Sequence, residues 1–294
     1  MKLFSLIFLL VFSKSIFAAQ TIQVHWPFSV ASTQANMIRA LLSEANAQQT
    51  DYKFVFAHKP GAGGSIAANS SLSGGSSILI STSSFYIRPL LYSDSHDVNK
   101  FNLVEVVCND QPLAVFSTKY STIDELRSRS VTVGVIPGSI TNLVTRRFVL
   151  NNLQISEVFY KGTPEATADV LGAHIDLSID FLGERRITEN SRIKIIGITG
   201  SKSFGNYRTL ASQNITGTES ITNSYFIFLD KNADSALLQK LREIFSRSKT
   251  TTKVQEFCQK DYGSQKSYSD SELTILNETN KTFWKIATSG VIVK

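Results

Sequence analysis

Twice along the chain a strand-like run passes through a short loop into a helix-like run and on into another strand, and this alternation limits the fold more than any other feature. In the first instance residues 22–25 form a strand and residues 26–32 a loop. Thr33 is placed to cap a helix that turns Met37, Ile38, Leu41 and Leu42 to one face. A strand over 52–58, a glycine-rich loop, a helical turn over 65–69 and a strand over 77–80 follow. In the second instance, residues 131–136 are a buried-type strand, Pro137-Gly138-Ser139 a tight loop, and residues 140–150 a helix with Leu143, Val144 and Phe148 inward. A strand over 155–160 leads to a helix with clear punctuation: Thr163 as N-cap, Pro164 at the first helical position and Gly172 at the end. Residues 174–181 alternate, with Ile175, Leu177, Ile179 and Phe181 on one face and Asp176, Ser178 and Asp180 on the other. Residues 192–199 read as another strand.

Two such units predict an α/β protein of two lobes, each a βαβ-based sheet flanked by helices, with ligands gathered outside the carboxyl ends of the strands. The apolar segment 225–229 reads as a strand returning to the first lobe. Helices follow it, one carrying Leu237, Leu238, Leu241, Ile244 and Phe245, another opened by a Ser269-x-x-Glu272 capping box. On this reading residues 20–117 and 224–294 make lobe I and 118–223 lobe II. The chain crosses between them near 116–119 and 223–225, and two crossing strands form a hinge.

Residues 1–19 stand apart. Lys2, an apolar stretch over 3–12 and the small-residue region ending Ala18-Ala19 read as a secretory signal peptide, cleaved after Ala18 or Ala19. The apolar stretch is well short of the ~20 residues of a membrane span. The mature chain is thereby expected outside the cytoplasm. Loss of Lys2 and Lys14 takes the formal charge from +6 to +4, a mild bias toward anions. Basic residues are scattered among acids, which argues against nucleic acid. His25, His58, His96 and His174 show no ligand-like spacing, so no metal is expected. No Gly-x-Ser-x-Gly elbow or His-Glu-x-x-His motif supports an exported enzyme, and no catalytic residue is assigned. Cys108 and Cys258 either pair, as an oxidising compartment allows, or stay as buried thiols.

The loop Lys59-Pro60-Gly61-Ala62-Gly63-Gly64-Ser65 has two readings: a bend in the chain, or a cradle in which backbone N–H groups hold an anion at a helix start. Its spacing fits neither nucleotide-binding glycine motif.

The segment KPGAGGSIAAN at 59–69 resembles the NRPGAGGNIGA signature of the tripartite tricarboxylate transporter substrate-binding receptors, the Bug or TctC family. Further motifs in order are similar to that family's: Pro27-Phe28 with Arg39 to PFPAGGPTDVVAR, Pro89 to Tyr92 to NPLLY, Tyr160 to Ala166 to PYKGxxPA, and Gly172 to Leu177 to GGQVDL. The resemblance covers nearly the whole mature chain. It implies a type II-like periplasmic binding protein, a monomer without cofactor that closes like a Venus flytrap on a small carboxylate. It also implies delivery of that solute to membrane permease subunits of a tripartite transporter. A receptor of the same fold that reports ligand to a membrane sensor is the alternative. Ala31-Ser32 and Ala35 stand where the family has paired glycines and an aspartate, and Ser73-Gly74-Gly75-Ser76-Ser77 replaces PDGYT.

The expected contacts are backbone and hydroxyl groups of Phe28, Ser29, Ala31, Ser32 and Thr33, of Ala62, Gly63, Gly64 and Ser65, and of Ser81, Thr82 and Ser83. The second lobe is expected to add Gly138, Ser139, Tyr160, Gly162 and Thr163. Asp180 either receives a ligand amine or hydroxyl or caps the next helix, and Lys161 is either a counter-ion or a solvated turn residue.

Overall fold

A computed structural model describes residues 19–291; the signal-peptide stretch up to Ala18 lies outside the described residues. The elements run β1 (Gln20–Trp26), α1 (Thr33–Ala47), β2 (Tyr52–His58), α2 (Ser65–Ser70), β3 (Ser77–Thr82), α3 (Ser84–Leu91), β4 (Phe101–Gln111), β5 (Leu113–Ser117) and β6 (Ser130–Val135). They continue with α4 (Ile140–Leu150), β7 (Gln154–Phe159), α5 (Thr163–Leu171), β8 (Leu177–Phe181), α6 (Arg185–Thr188), β9 (Lys194–Ile198) and β10 (Asn223–Asp230). Three helices close the chain: α7 (Ser235–Lys249), α8 (Thr252–Lys260) and α9 (Asp270–Ala287).

Two five-stranded sheets result, ordered β2-β1-β3-β10-β4 and β7-β6-β8-β5-β9. Each is parallel through its first three strands, and each takes an antiparallel fourth strand from a segment that has just crossed between the sheets. This is the two-lobed architecture of periplasmic binding proteins. Residues 113–117, expected in the first lobe, lie in the second sheet, because β5 pairs with β8 and β9. The first crossing therefore falls at Pro112, between β4 and β5, and the second between β9 and β10.

Helix starts differ by a residue from expectation. Ser32, not Thr33, caps α1, its hydroxyl accepting the Ala35 N–H at 3.1 Å. Gly162 occupies the N-cap of α5, and Thr163 is already helical. The Ser269/Glu272 capping box on α9 is formed as expected. One apolar cluster runs from Leu79, Phe85 and Phe228 of the first lobe to Val133, Leu143 and Leu177 of the second. A second fills the space between β1, α1 and α7 and includes Cys108 and Cys258, which form a disulfide. No helix among the described residues is long and apolar enough to cross a membrane.

Candidate functional site

The loops at the carboxyl ends of β1, β3, β6 and β7 meet between the sheets. They start α1, α3, α4 and α5, so four helix N-termini converge on one interlobe cavity, lined among others by Ser32, Ser84, Ser139 and Thr163. As space for water centres the cavity measures about 40 Å³, where one water needs about 10–15 Å³. Hydrogen bonds between its two sides bound it. The Ser84 hydroxyl accepts the Ile140 N–H at 3.1 Å across the cleft, and Glu184 accepts from the Thr33 N–H and hydroxyl at 3.1 and 3.0 Å.

The electrostatics of this cavity come from backbone. Its lining contains no Lys, Arg, Asp or Glu. Each helix start turns the positive end of its dipole toward the cavity, and together they favour a negative group over a neutral one, although the N–H groups of Thr33, Ala35, Ser84, Ile140 and Thr141 are already engaged by side-chain oxygens. The side-chain hydroxyls supply further donors. Trp26, Phe28, Ile136 and Tyr225 make the apolar walls.

Behind the walls lie acids. Asp180 is fully buried, accepts the Phe181 N–H at 2.8 Å and has no partner for Oδ2. Burial, then the charge of Glu184, raises its carboxyl far above the usual range. Burial followed by Glu184 pushes Asp261 up to about 7, while the Gln111 amide eases it back down. Gln111 Nε2 donates to Asp261 Oδ2 at 3.1 Å, whereas Gln34 Nε2 and the Tyr225 hydroxyl, both buried, make no hydrogen bond. Arg186 pairs with Glu184 at 2.7 Å. Keeping Asp180 neutral spares an anion in the cavity from repulsion, since like charges in a dry site disfavour one another.

The glycine loop lies elsewhere. Gly61 to Gly64 line a neighbouring pocket of about 520 Å³ with Arg88, Tyr92, Tyr160 and Lys161. Both Gly63 and Gly138 have positive φ, and a Cβ on either would stand 2.8–3.0 Å from the Arg88 side chain. The glycines thus make room for a guanidinium. Arg88 is 3% exposed; its Nε donates to Ser65 Oγ at 3.1 Å, Nη1 to Pro137 O at 3.4 Å and Nη2 to Asp94 at 2.9 Å. The Tyr92 ring lies under it, 4.6 Å from centroid to guanidinium carbon.

Of the residues expected to bind ligand, Phe28, Ser29, Ser32, Thr82, Ser139, Gly162 and Thr163 come together at the cavity. The others have different surroundings. Ala31 is exposed, and Thr33 is engaged by Glu184. Ala62, Gly63, Gly64 and Tyr160 line the glycine pocket, with Gly138 packed on Arg88. Ser65 holds Arg88 and contacts His96, Ser81 is buried in β3, and Ser83 bonds the Ser224 N–H. The Tyr160 hydroxyl donates to Asp169 at 2.5 Å, and Asp180 lies behind the wall. Trp26, Gln34, Ser84, Thr141, Tyr225, Glu184 and Arg88 were not anticipated. Only Arg88 left a signal, as a charged residue where the resembled NPLLY motif has Asn.

Fold and cavity together define a two-lobed protein with the periplasmic-binding-protein architecture and an anion-favouring space between its lobes. No family model and no curated protein matches the chain. Among solved structures it is similar to the periplasmic binding protein BugD, with 18% identity over 93% of this chain and 99% of that one, at a TM-score of 0.81. MatC from Rhodopseudomonas palustris with bound malate superposes at a TM-score of 0.81, with 15% identity over 93% and 100% of the two chains. The R. palustris protein Rpa4515 with adipate gives 0.80, with 19% identity over 91% and 96%. The chain shares the Bug/TctC-type fold that its motifs resemble.

Proposed function

We propose that this protein is a member of the Bug/TctC receptors, exported to the periplasm, that captures a small carboxylate between its lobes and delivers it to the membrane permease subunits of a tripartite transporter. The observation that carries this reading is the convergence of four helix N-termini on a cavity without charged side chains. Such a site stabilises a carboxylate through fixed N–H dipoles and needs no covalent step. Malate and adipate in the neighbouring proteins support the ligand class. Lobe I comprises the chain up to Gln111 and from Asn223, lobe II the part between, and closure occurs about the two crossings. A ligand touching both lobes holds the closed state by its differential affinity.

Calorimetry of the purified mature chain against mono- and dicarboxylates tests the reading. The expected result is stoichiometric, reversible binding without turnover, accompanied by a smaller radius of gyration in solution scattering. A folded protein that binds no carboxylate, or one that converts it, would overturn the proposal.

A further inference from the structure

The geometry points to a second ligand site behind the two crossings, a pocket of about 590 Å³ that takes a small uncharged polyhydroxylated molecule of monosaccharide size. It goes beyond the carboxylate reading and does not depend on it. The two sites lie on opposite faces of the same strand ends: Thr82 and Tyr225 line the cavity, whereas the adjacent Ser83 and Ser224 line the pocket. Successive side chains of a strand project to opposite faces, so the backbone at the end of β3 and the start of β10 separates the two. The walls come from both lobes, with Phe204 and Glu219 from the second, Tyr262 and Phe283 from the first, and the crossing residue Pro112 between them. The volume is that of a small-molecule site.

Backbone strain is concentrated at this pocket. Asp110 and Tyr262 both line it, and both have positive φ, +60° and +57°. For a bulky residue such as Tyr262 the left-handed region is an outlier. Tyr262 follows the Asp261 cap of α8, where its N–H donates to Gln259 O at 3.0 Å and the Gly263 N–H to Cys258 O at 2.9 Å. That pattern ends helices with glycine at the position Tyr262 holds. Helix termination gains nothing from the ring, which stands 38% exposed at the pocket, edge-on to Phe204 with 5.2 Å between centroids. Strain kept at a concave surface points to binding. Phe283 adds a third ring.

The polar groups among these rings fix the ligand class. The hydroxyls of Ser201, Ser220 and Thr222 make no side-chain hydrogen bond among the described residues. The indole N–H of Trp284 is buried without a partner. Charges balance: Asp110 pairs with Lys266 at 3.4 Å, and the exposed Lys202 and Glu219 are of opposite sign. Neither an anion nor a cation is favoured. Aromatic rings suit the C–H face of a sugar or cyclic polyol, while hydroxyls, carboxylates and an indole N–H exchange hydrogen bonds with its hydroxyl groups.

The chain has two tryptophans, one at each site: Trp26 lines the cavity and Trp284 the pocket. Their indole N–H signals in a proton–nitrogen NMR spectrum of the mature chain, assigned with Trp26→Phe, therefore report the two sites separately. Glucose, galactose, ribose and myo-inositol are titrated, with lysine and succinate as charged comparators. At least one of the four is expected to saturate one-to-one with a Kd of about 1 mM or tighter, moving the Trp284 signal and leaving that of Trp26 in place. Tyr262→Gly relieves the strained backbone, so it should keep or raise the melting temperature while weakening this binding about tenfold. Phe204→Ala should weaken it as well, and decides alone if the Tyr262→Gly protein does not fold. No saturable shift with any of the four, a shift confined to Trp26, or an affinity unmoved by both variants would overturn the site. A tighter response of Trp284 to lysine or succinate would overturn the uncharged ligand class.

Discussion

The cavity and the glycine pocket lie side by side in one cleft, yet they favour anions by opposite means. The cavity does so with backbone, through four helix starts and no charged side chain in its lining. In the glycine pocket the helix that follows, α2, has six residues, and the positive charge comes from the Arg88 and Lys161 side chains. What separates them is what fills the space that glycine leaves. At Gly63 and Gly138 the missing Cβ atoms admit an arginine of the same chain. A glycine-rich turn before a helix is therefore a statement about close approach, and the approaching group need not be the ligand.

The largest effect is expected from the disulfide, which supports only one side of this pair. Cys108 and Cys258 are separated by 150 residues, and the bond fastens α8, whose end carries Asp261, to β4 behind the cavity. A cross-link over so long a loop contributes about 5 kcal/mol in the chain-entropy model. Replacing both cysteines with serine should lower denaturant stability by several kcal/mol. Hydrogen exchange should speed first around residues 254–263, not around the glycine loop; equal loss on both sides would mean that the two regions share one support.

Substitutions at glycine sharpen the contrast. A Cβ at Gly63, with φ of +55°, would meet Pro137 O of the opposite lobe at 2.4 Å. Gly63→Val should therefore hold the cleft open and weaken carboxylate binding by roughly 3 kcal/mol, about a hundredfold, with secondary structure retained. Gly162 at the cavity has no such strain, and a Cβ there meets the Glu165 and Ser29 side chains at 2.8 and 2.9 Å. Because side chains yield more readily than backbone, Gly162→Ala should cost only about 1 kcal/mol. Calorimetry alongside circular dichroism checks both, and a folded Gly63→Val protein of unchanged affinity would remove the glycine loop from closure altogether.

These contrasts also mark where the sequence was legible. Elements with local punctuation were readable: α5 with Pro164, α9 with its capping box, and the strands with uninterrupted apolar or alternating patterns. β4 was missed although it is the longest strand. Its run FNLVEVVCNDQ places Glu105 in the interior, where the residue pairs with Lys249 at 2.8 Å, each side chain 1% exposed. That partner lies 144 residues away, beyond the reach of any local pattern. The lobe of β5 was likewise decided by pairing with β8 and β9. At the site, loop hydroxyls at strand ends were recognised, whereas Tyr225 sat within a segment read only as an apolar strand and Gln34 was assigned no role. Both are buried against the cavity because the second lobe covers them.

The smallest expected effect, a pH dependence near neutrality, belongs to the cavity side alone. Tyr160, in the glycine pocket, titrates at about 12, because burial and the Asp169 carboxylate raise it. Asp261 behind the cavity titrates at about 7, facing Glu184 of the opposite lobe, with Gln34, Gln111 and Tyr225 around it and Asp180 and Arg186 beyond. Its folded pKa lies above the ordinary 3.8 of an aspartate. Its contribution to stability is thus fully present below about pH 4 and is lost as pH rises through about 7. Ligand binding should follow the same sign. A ligand carboxylate is already ionised above about pH 5, so the charge that appears on Asp261 near neutrality only repels it, through a partly screened interaction on the order of 1 kcal/mol. Affinity should therefore fall a few-fold between pH 6 and pH 8 in the wild type and stay flat in Asp261→Asn, whereas Lys161→Gln should retain the slope. A slope that survives Asp261→Asn would place the titrating group elsewhere, and one that vanishes in Lys161→Gln would move it to the glycine side and reverse the contrast between the two regions.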